Sequence, residues 1–545
     1  MNKHKIKIDK YGVAGYNIYG VCSERERGRM YSYVTSGTIF GIQGVLIQVE
    51  ADASDGLPGF HMVGYLSNEV RESGERIRTA MRNSGFYLPP KRMVVNLSPA
   101  DIRKGGSGFD LPIAVATLIS MGYIPQEQVE DMVFLGELGL NGSILPVNGV
   151  LPIADCVAKA GYHILVVPKA NSREAAFIKT LKIIGVETLM ELTELLNHKE
   201  QMEECFYSGE AEHEESEAVV PYDFQDLKGQ PVVRRAMEIA ASGMHNLLMT
   251  GPPGAGKTLA AKCLTGILPN LSFEESMELT KIYSVKGMLS AGSGMLRNRP
   301  FRAPHHTITT ASLIGGGAIP KPGEISLAHN GVLFLDELPE FSKNAIEVLR
   351  QPLEDGKVLI GRLNTTYEFP ANVMLVGAMN PCPCGCYPDR SRCNCSLHQI
   401  QQYQGRISRA ILDRIDLHLT VQPVSYMEMT QTIPREDSKT IRKRVCQVHR
   451  IQKERYRNMT VRFNSQLTQE GVKRFCGLTA EGETFMKEVY EKKQLSGRAY
   501  YKLLKLARTI ADMEEAEQIQ LPHLMEAVTY HFTEQKELAG GNQYG

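Results

Sequence analysis

The sequence predicts an α/β protein of several domains: an α/β domain first, then an αβα core around a parallel sheet, then a helical region. Three observations carry that expectation. Strand-like and helix-like runs alternate from about residue 31 to 195. Over residues 246–264 an apolar run, a glycine-rich turn and a helix pattern follow one another. Beyond about residue 422 the pattern is helical. A chain of 545 residues is also too long for a single core.

The elements follow in order. Residues 1–30 are basic and weakly patterned, an expected extension, with Met30 opening the folded part. In the segment 31–195, Gly44–Glu50, Met93–Leu97 and Tyr162–Val167 read as strands. Asp110–Ser120 reads as a helix, with Pro112 tolerated in its first turn. Residues 196–221 contain the acidic stretch Gly209–Glu217, too poor in apolar residues to pack, and read as a linker. The αβα core is expected over 222–422, the helical domain over 423–535, and a frayed tail over 536–545.

Composition narrows the function classes. Lys+Arg and Asp+Glu are both 61, so any basic surface for a nucleic acid must be local. No apolar run approaches the ~20 residues needed to span a bilayer. The N-terminus has no apolar signal core, which argues against secretion. Five of the 11 cysteines fall between Cys382 and Cys395 and the others are scattered, which is not a disulfide framework. The expected compartment is the cytoplasm.

Gly251-Pro252-Pro253-Gly254-Ala255-Gly256-Lys257-Thr258 matches the phosphate-binding loop pattern in full. Gly254 and Gly256 let the backbone curl its N–H groups toward phosphate oxygens. Lys257 reaches the β/γ-phosphates, Thr258 can ligate Mg²⁺, and the helix that follows turns its positive end to the anion. ATP and Mg²⁺ are the implied ligands. Gly331–Glu337 is an apolar strand ending in two carboxylates: Asp336 to hold the Mg²⁺ shell and Glu337 to polarise the attacking water. Val373–Asn380 is a second buried strand, ending in an amide that can orient that water. Arg414, in Leu412-Asp-Arg-Ile-Asp416, is a candidate transition-state cation, acting on a neighbouring subunit's nucleotide. Its bland alternative is a salt bridge to Asp413 or Asp416. Arg498, opening a helix at Ser496-Gly-Arg-Ala-Tyr500, is expected to reach back to the γ-phosphate.

Cys382, Cys384, Cys393 and Cys395 form two C-x-C turns, four soft ligands for a tetrahedral structural Zn²⁺, with His398 as an alternative ligand. Reduced loop thiols or a redox switch are the other readings.

This ordered set resembles the AAA+ ATPases, and Asp223–Gln230 is similar to their adenine-side entry motif. Arg302–Thr307, Lys321–His329 and Leu349–Gly356 resemble magnesium-chelatase-type modules. More narrowly, the chain from about residue 31 resembles the ComM/YifB family, competence-associated magnesium-chelatase-like ATPases of bacteria, through Asn83–Phe86, Val95–Asp101 and Phe109–Ile113 as well. One departure is Ser408-Arg-Ala-Ile411, where the family has Ser-Gly-Pro-Leu; Arg409 adds a second cation near Arg414. Paired cysteines near residues 382–395 occur in the family, while Cys386 is usually another residue there.

The resemblance implies a Lon-protease-like (ChlI-type) fold for 31–195, an AAA+ core for 222–422 and a magnesium-chelatase C-type helical domain for 423–535. In the Lon-like part Ser107 lies near the nucleophile position, but the catalytic Lys position falls on Leu151, which cannot abstract a proton. The expectation is a retained fold without proteolysis. The resemblance also implies a hexameric ring that moves DNA strands, with branch migration in recombination or natural transformation. Supporting residues are the basic stretch Lys439–Arg457, which could contact phosphates, and the hairpin-like Gly356–Phe369, with Lys357 and Arg362 as pore cations. Charge on a solvated helix face and on a hairpin edge are the plain alternatives. A chelatase-type or protein-remodelling ATPase is the competing class.

Overall fold

The protein is described by a computed structural model over residues 30–207, 222–289, 294–362, 365–430 and 435–532. The expected extension before Met30, the acidic stretch 209–217 and the tail 536–545 lie outside the described residues.

The first part is a seven-stranded mixed sheet with helices on it. Its strand order is Gly59–Val63, Arg92–Ser98, Gln43–Ser54, Met30–Phe40, Met132–Phe134, Ile164–Pro168, Lys182–Val186. The long hairpin Met30–Phe40 with Gln43–Ser54 turns at Gly41, whose φ of 65° suits a residue without Cβ. The apolar run Asp110–Ser120 is a helix buried along its entire length, which explains why it shows no polar face. Asp110 at its start is buried and takes a bidentate pair from Arg76 (Nε 2.6 Å) plus the Leu138 amide at 3.2 Å.

The core is a five-stranded, all-parallel sheet in the order Phe301–Arg302, Val332–Leu335, Met374–Met379, Leu247–Thr250, Leu417–Thr420. All-parallel strands are buried on both faces, which is why these segments read as continuous apolar runs. One face packs with the helices Pro231–Gly243, Lys257–Ile267, Ser438–Arg455 and Gly497–Met513 in a single apolar cluster. The C-terminal helices therefore share one continuous apolar core with this face of the sheet. The other face packs with the hairpin Lys357–Arg362/Thr365–Pro370. That hairpin meets the first part of the chain: the Tyr367 ring lies 4.6 Å from Phe40. A second junction joins the parts where Lys281 pairs with Asp155 at 2.7 Å and the Gly149 amide donates to Ser284 O at 3.1 Å.

Candidate nucleotide site

Parallel strands place their C-terminal ends on one edge, where open α/β sheets bind ligands. Three neighbouring strands end there, and each delivers one part of the candidate site. Leu247–Thr250 runs into the glycine-rich loop, Val332–Leu335 into Asp336 and Glu337, and Met374–Met379 into Asn380.

The loop needs its glycines. Gly254 and Gly256 have φ of 77° and 89°, and Gly256 caps the helix Lys257–Ile267 in the left-handed conformation. A Cβ at Gly251 would stand 2.4 Å from Val421 O, so no side chain fits where the loop leaves the sheet. Lys257 bends back over the loop and donates to Gly251 O at 2.5 Å, Pro252 O at 3.0 Å and Asn380 Oδ1 at 3.1 Å. Burial pushes its ammonium below the ordinary lysine range, with Asp336 and Glu337 opposing the shift. Thr258 Oγ1 donates to Asp336 Oδ2 at 2.8 Å, so the two oxygens suited to one Mg²⁺ are already adjacent. Glu337 holds φ 52° and ψ 45°, a left-handed backbone that costs a β-unbranched residue about 1 kcal/mol.

Residues with no assigned role in the sequence reading stand against this set. His306 Nδ1 lies 3.4 Å from Glu337 Oε2, its ring tilted against that of His305 at 4.1 Å between centroids. The doublet sits in Arg302–Thr307, and its position just after an edge strand of the sheet was the available signal.

The two arginines occupy the opposite edge. The Arg414 carbonyl accepts from Asn246 Nδ2 at 2.9 Å, just before Leu247–Thr250 begins, so it sits a whole strand, about 13 Å at ~3.3 Å per residue, from the loop. Its guanidinium is 11% exposed, donates to Ala410 O at 2.6 Å and pairs with Glu354, neither Asp413 nor Asp416. Glu354 belongs to the same edge: Gly356 O, two residues on, accepts from the Ala371 amide at 2.7 Å, ahead of Met374–Met379. Arg498 stands on the same carboxylate, 3.9 Å away and 68% exposed. Arg498, expected to reach the γ-phosphate, stands away from its own chain's phosphate loop: its helix is docked at this edge by Lys502 Nζ, which donates to Ile415 O at 2.6 Å. Asp416 is taken by His245 at 3.3 Å and the Asn246 amide at 3.1 Å. Arg409 is exposed at the start of the short helix Arg409–Leu412.

The four expected cysteines converge. Their sulfurs all lie within 4.8 Å of one another, with Cys382–Cys384 at 3.3 Å, Cys384–Cys393 at 3.6 Å and Cys382–Cys393 at 3.8 Å. Tetrahedral Zn–S bonds of ~2.3 Å set sulfurs about 3.8 Å apart, so the quartet fits such an ion. The Tyr387 amide points at Cys382 Sγ at 3.4 Å, as amides do around ligating thiolates. Neither Cys386 nor His398 belongs to the quartet.

The nucleic-acid candidates are largely committed elsewhere. Lys357 pairs with Glu368 at 3.1 Å, and Arg362 donates to Gly317 O at 2.9 Å. In the helix Ser438–Arg455, Arg444 bridges Glu238 and Glu436, Arg455 pairs with Asp512, and Arg442 donates to Asn270. Lys439, Lys443, Arg450, Lys453 and Arg457 remain exposed. In the N-terminal part Ser107 Oγ bonds Glu137, while Leu151 is fully buried among apolar side chains.

This sheet order and loop, with strand-end carboxylates beside it, define a magnesium-chelatase-type AAA+ protein. The family described as magnesium chelatase, subunit ChlI, matches residues 223–429; its companions, subunit ChlI of Mg-chelatase and the ChlI C-terminal region, match 49–171 and 435–531. The competence protein ComM of Haemophilus influenzae is 40% identical over 499 residues, 91% of this chain and 96% of that one. YifB of Escherichia coli K12 is 38% identical over 504 residues, 92% and 96% of the two chains. Lon protease 2 of Bacillus subtilis is 28% identical over 207 residues, 33% of this chain and 36% of its own. The chain belongs to the ComM/YifB family of magnesium-chelatase-like AAA+ proteins. No described helix is long and apolar enough to cross a membrane.

Proposed function

We propose that the protein is an ATP hydrolase that works as a homo-oligomeric ring, hexameric as in other AAA+ motors, and moves DNA in a helicase or branch-migration reaction. The observation that carries the ring is the separation of the phosphate loop from Arg414 and Arg498 on opposite edges of one sheet. A single chain holds half of two sites. The loop residues 251–258 bind ATP, Asn380 and Glu337 position the attacking water, and Glu337 accepts its proton. A Mg²⁺ held through Thr258 and Asp336 would neutralise charge on the phosphates. Arg414 and Arg498 serve the nucleotide of the adjacent subunit. Cys382, Cys384, Cys393 and Cys395 hold a structural zinc.

DNA is supported by the name of the ComM relative, a competence protein, and by the exposed cations of Lys439–Arg457. The competing reading, a chelatase-type or protein-remodelling ATPase, is favoured by the family description alone. Proteolysis is disfavoured by the buried Leu151. ATP turnover is measured with single-stranded, duplex and branched DNA across a salt series. The DNA reading expects stimulation that fades with salt; turnover abolished by Lys257→Ala but indifferent to all three DNAs would transfer the protein to the competing class.

A further inference from the structure

The quartet of thiols is packed onto the phosphate loop itself. The chain leaves the sheet at Met379, passes Asn380, which holds Lys257, and enters the first C-x-C turn two residues later. Directly after that turn, Gly385 (φ 78°) donates its amide to Cys382 O at 2.9 Å and presses against the phosphate loop: a Cβ added there would lie 2.5 Å from Pro253 Cδ. The turn is anchored from behind by Gln404, whose Nε2 donates to Pro381 O at 3.1 Å and whose side chain is buried. The second C-x-C arm has few anchors of its own, chiefly Arg390 on Cys395 O at 3.0 Å and the Cys393 amide on Asp389 O at 2.9 Å. Each arm has one buried sulfur, Cys382 and Cys393, and one more open, Cys384 and Cys395, so a shared ion would add a metal-dependent tie between the two turns.

We propose that the metal in this quartet controls nucleotide affinity: with zinc bound, Gly385 braces Pro253 and keeps the phosphate loop in its anion-binding shape. Without the ion the two arms part, the brace relaxes, and the loop must be ordered at the cost of binding energy. The proposal rests on the loop being an ATP site. The coupling is reciprocal, so nucleotide raises zinc affinity by the same factor.

The test uses the full-length chain and a fluorescent ATP analogue with Mg²⁺. Affinity is measured on zinc-loaded protein, on protein stripped by a chelator and returned to Mg²⁺ buffer, and after zinc is restored. Stripping weakens binding roughly tenfold and zinc restores it. Zinc affinity, read with a chromogenic competitor, rises by the same factor when nucleotide is present. Gly385→Ala keeps one zinc per chain yet changes nucleotide affinity, because its Cβ collides with Pro253. Cys386→Ser changes neither. If stripping unfolds the chain, the rate at which zinc is lost to the chelator with and without nucleotide still decides: slower loss with nucleotide supports the coupling, and equal loss overturns it. Equal nucleotide affinity with and without zinc, or a silent Gly385→Ala, overturns the coupling. Loss of nucleotide binding in every form, with Lys257→Ala no different from the parent chain, would instead mean that the loop is not an ATP site.

Discussion

The two edges of the central sheet are built on different terms. At the C-terminal edge the loop's cation and hydroxyl have partners from their own chain: Lys257 meets two loop carbonyls and Asn380, and Thr258 meets Asp336, while the Thr250 hydroxyl at the strand end is buried without one among the described residues. At the N-terminal edge two guanidinium groups converge on one carboxylate, Glu354. The first edge is the candidate anion site, with its cation already held in place. The second holds a nearly buried Arg414 and an exposed Arg498 on that one carboxylate, a strand's length from the phosphate loop of the same chain. The difference is what the proposed ring would require, because an arginine a strand's length away cannot touch a phosphate on the opposite edge of its own chain.

The strongest way to break that comparison is Arg414→Ala. ATP turnover should fall roughly 10³-fold with nucleotide binding intact. Mixed with Lys257→Ala chains, which supply a sound Arg414 edge, it should recover part of the lost turnover; two inactive chains that stay inactive together would place the arginine in its own site. Next in size is Glu337→Gln, expected to lower turnover about 10²-fold or more while ATP stays bound, read by retention of labelled nucleotide. Normal hydrolysis by that variant would move the base elsewhere, with Asp336 the next carboxylate in line.

Asn246 sharpens the comparison from the structural side. Its side chain donates to Arg414 O and accepts from the Leu375 amide at 2.8 Å, stapling the starts of three strands. Asn246→Ala leaves a buried amide unpaired and should cost about 2 kcal/mol in denaturant unfolding. An unchanged midpoint would show that the far edge does not depend on it.

A last prediction concerns the shared core under both edges. Burial pushes His449 and His531 down to about 3, so both are neutral in the folded chain. In the unfolded chain a histidine takes its proton near pH 6.5, so between the two values the unfolded state binds more protons. Stability from these rings is full above about pH 6.5 and declines as pH falls toward 3. The thermal midpoint should drop between pH 7 and pH 5, and His449→Gln should flatten part of that drop. A midpoint that does not move would put both rings in water.

Much of this was legible in the sequence. The phosphate loop, the strand-end carboxylates and the paired cysteines are local patterns in which neighbours along the chain make the chemistry, so spacing alone reveals them. The fully buried helix Asp110–Ser120 was legible for the same reason, as an unbroken apolar run with Pro112 where a first turn accepts it. The basic stretch was legible as a helix, but its charges were not legible as free or paired. Arg444 and Arg455 find Glu238, Glu436 and Asp512 only when distant segments fold together.

By itself, then, the sequence determined the class of protein, the loop chemistry and the candidate metal ligands, because hydrogen-bond geometry and ligand softness act over a few residues. Tertiary structure alone decided that Arg498 joins Arg414 rather than its own phosphate loop, that His306 faces Glu337, and that Gly385 presses on Pro253. Those pairings depend on strand order and on which edge each loop leaves from. Parallel topology sets both, and no periodicity along the chain records them.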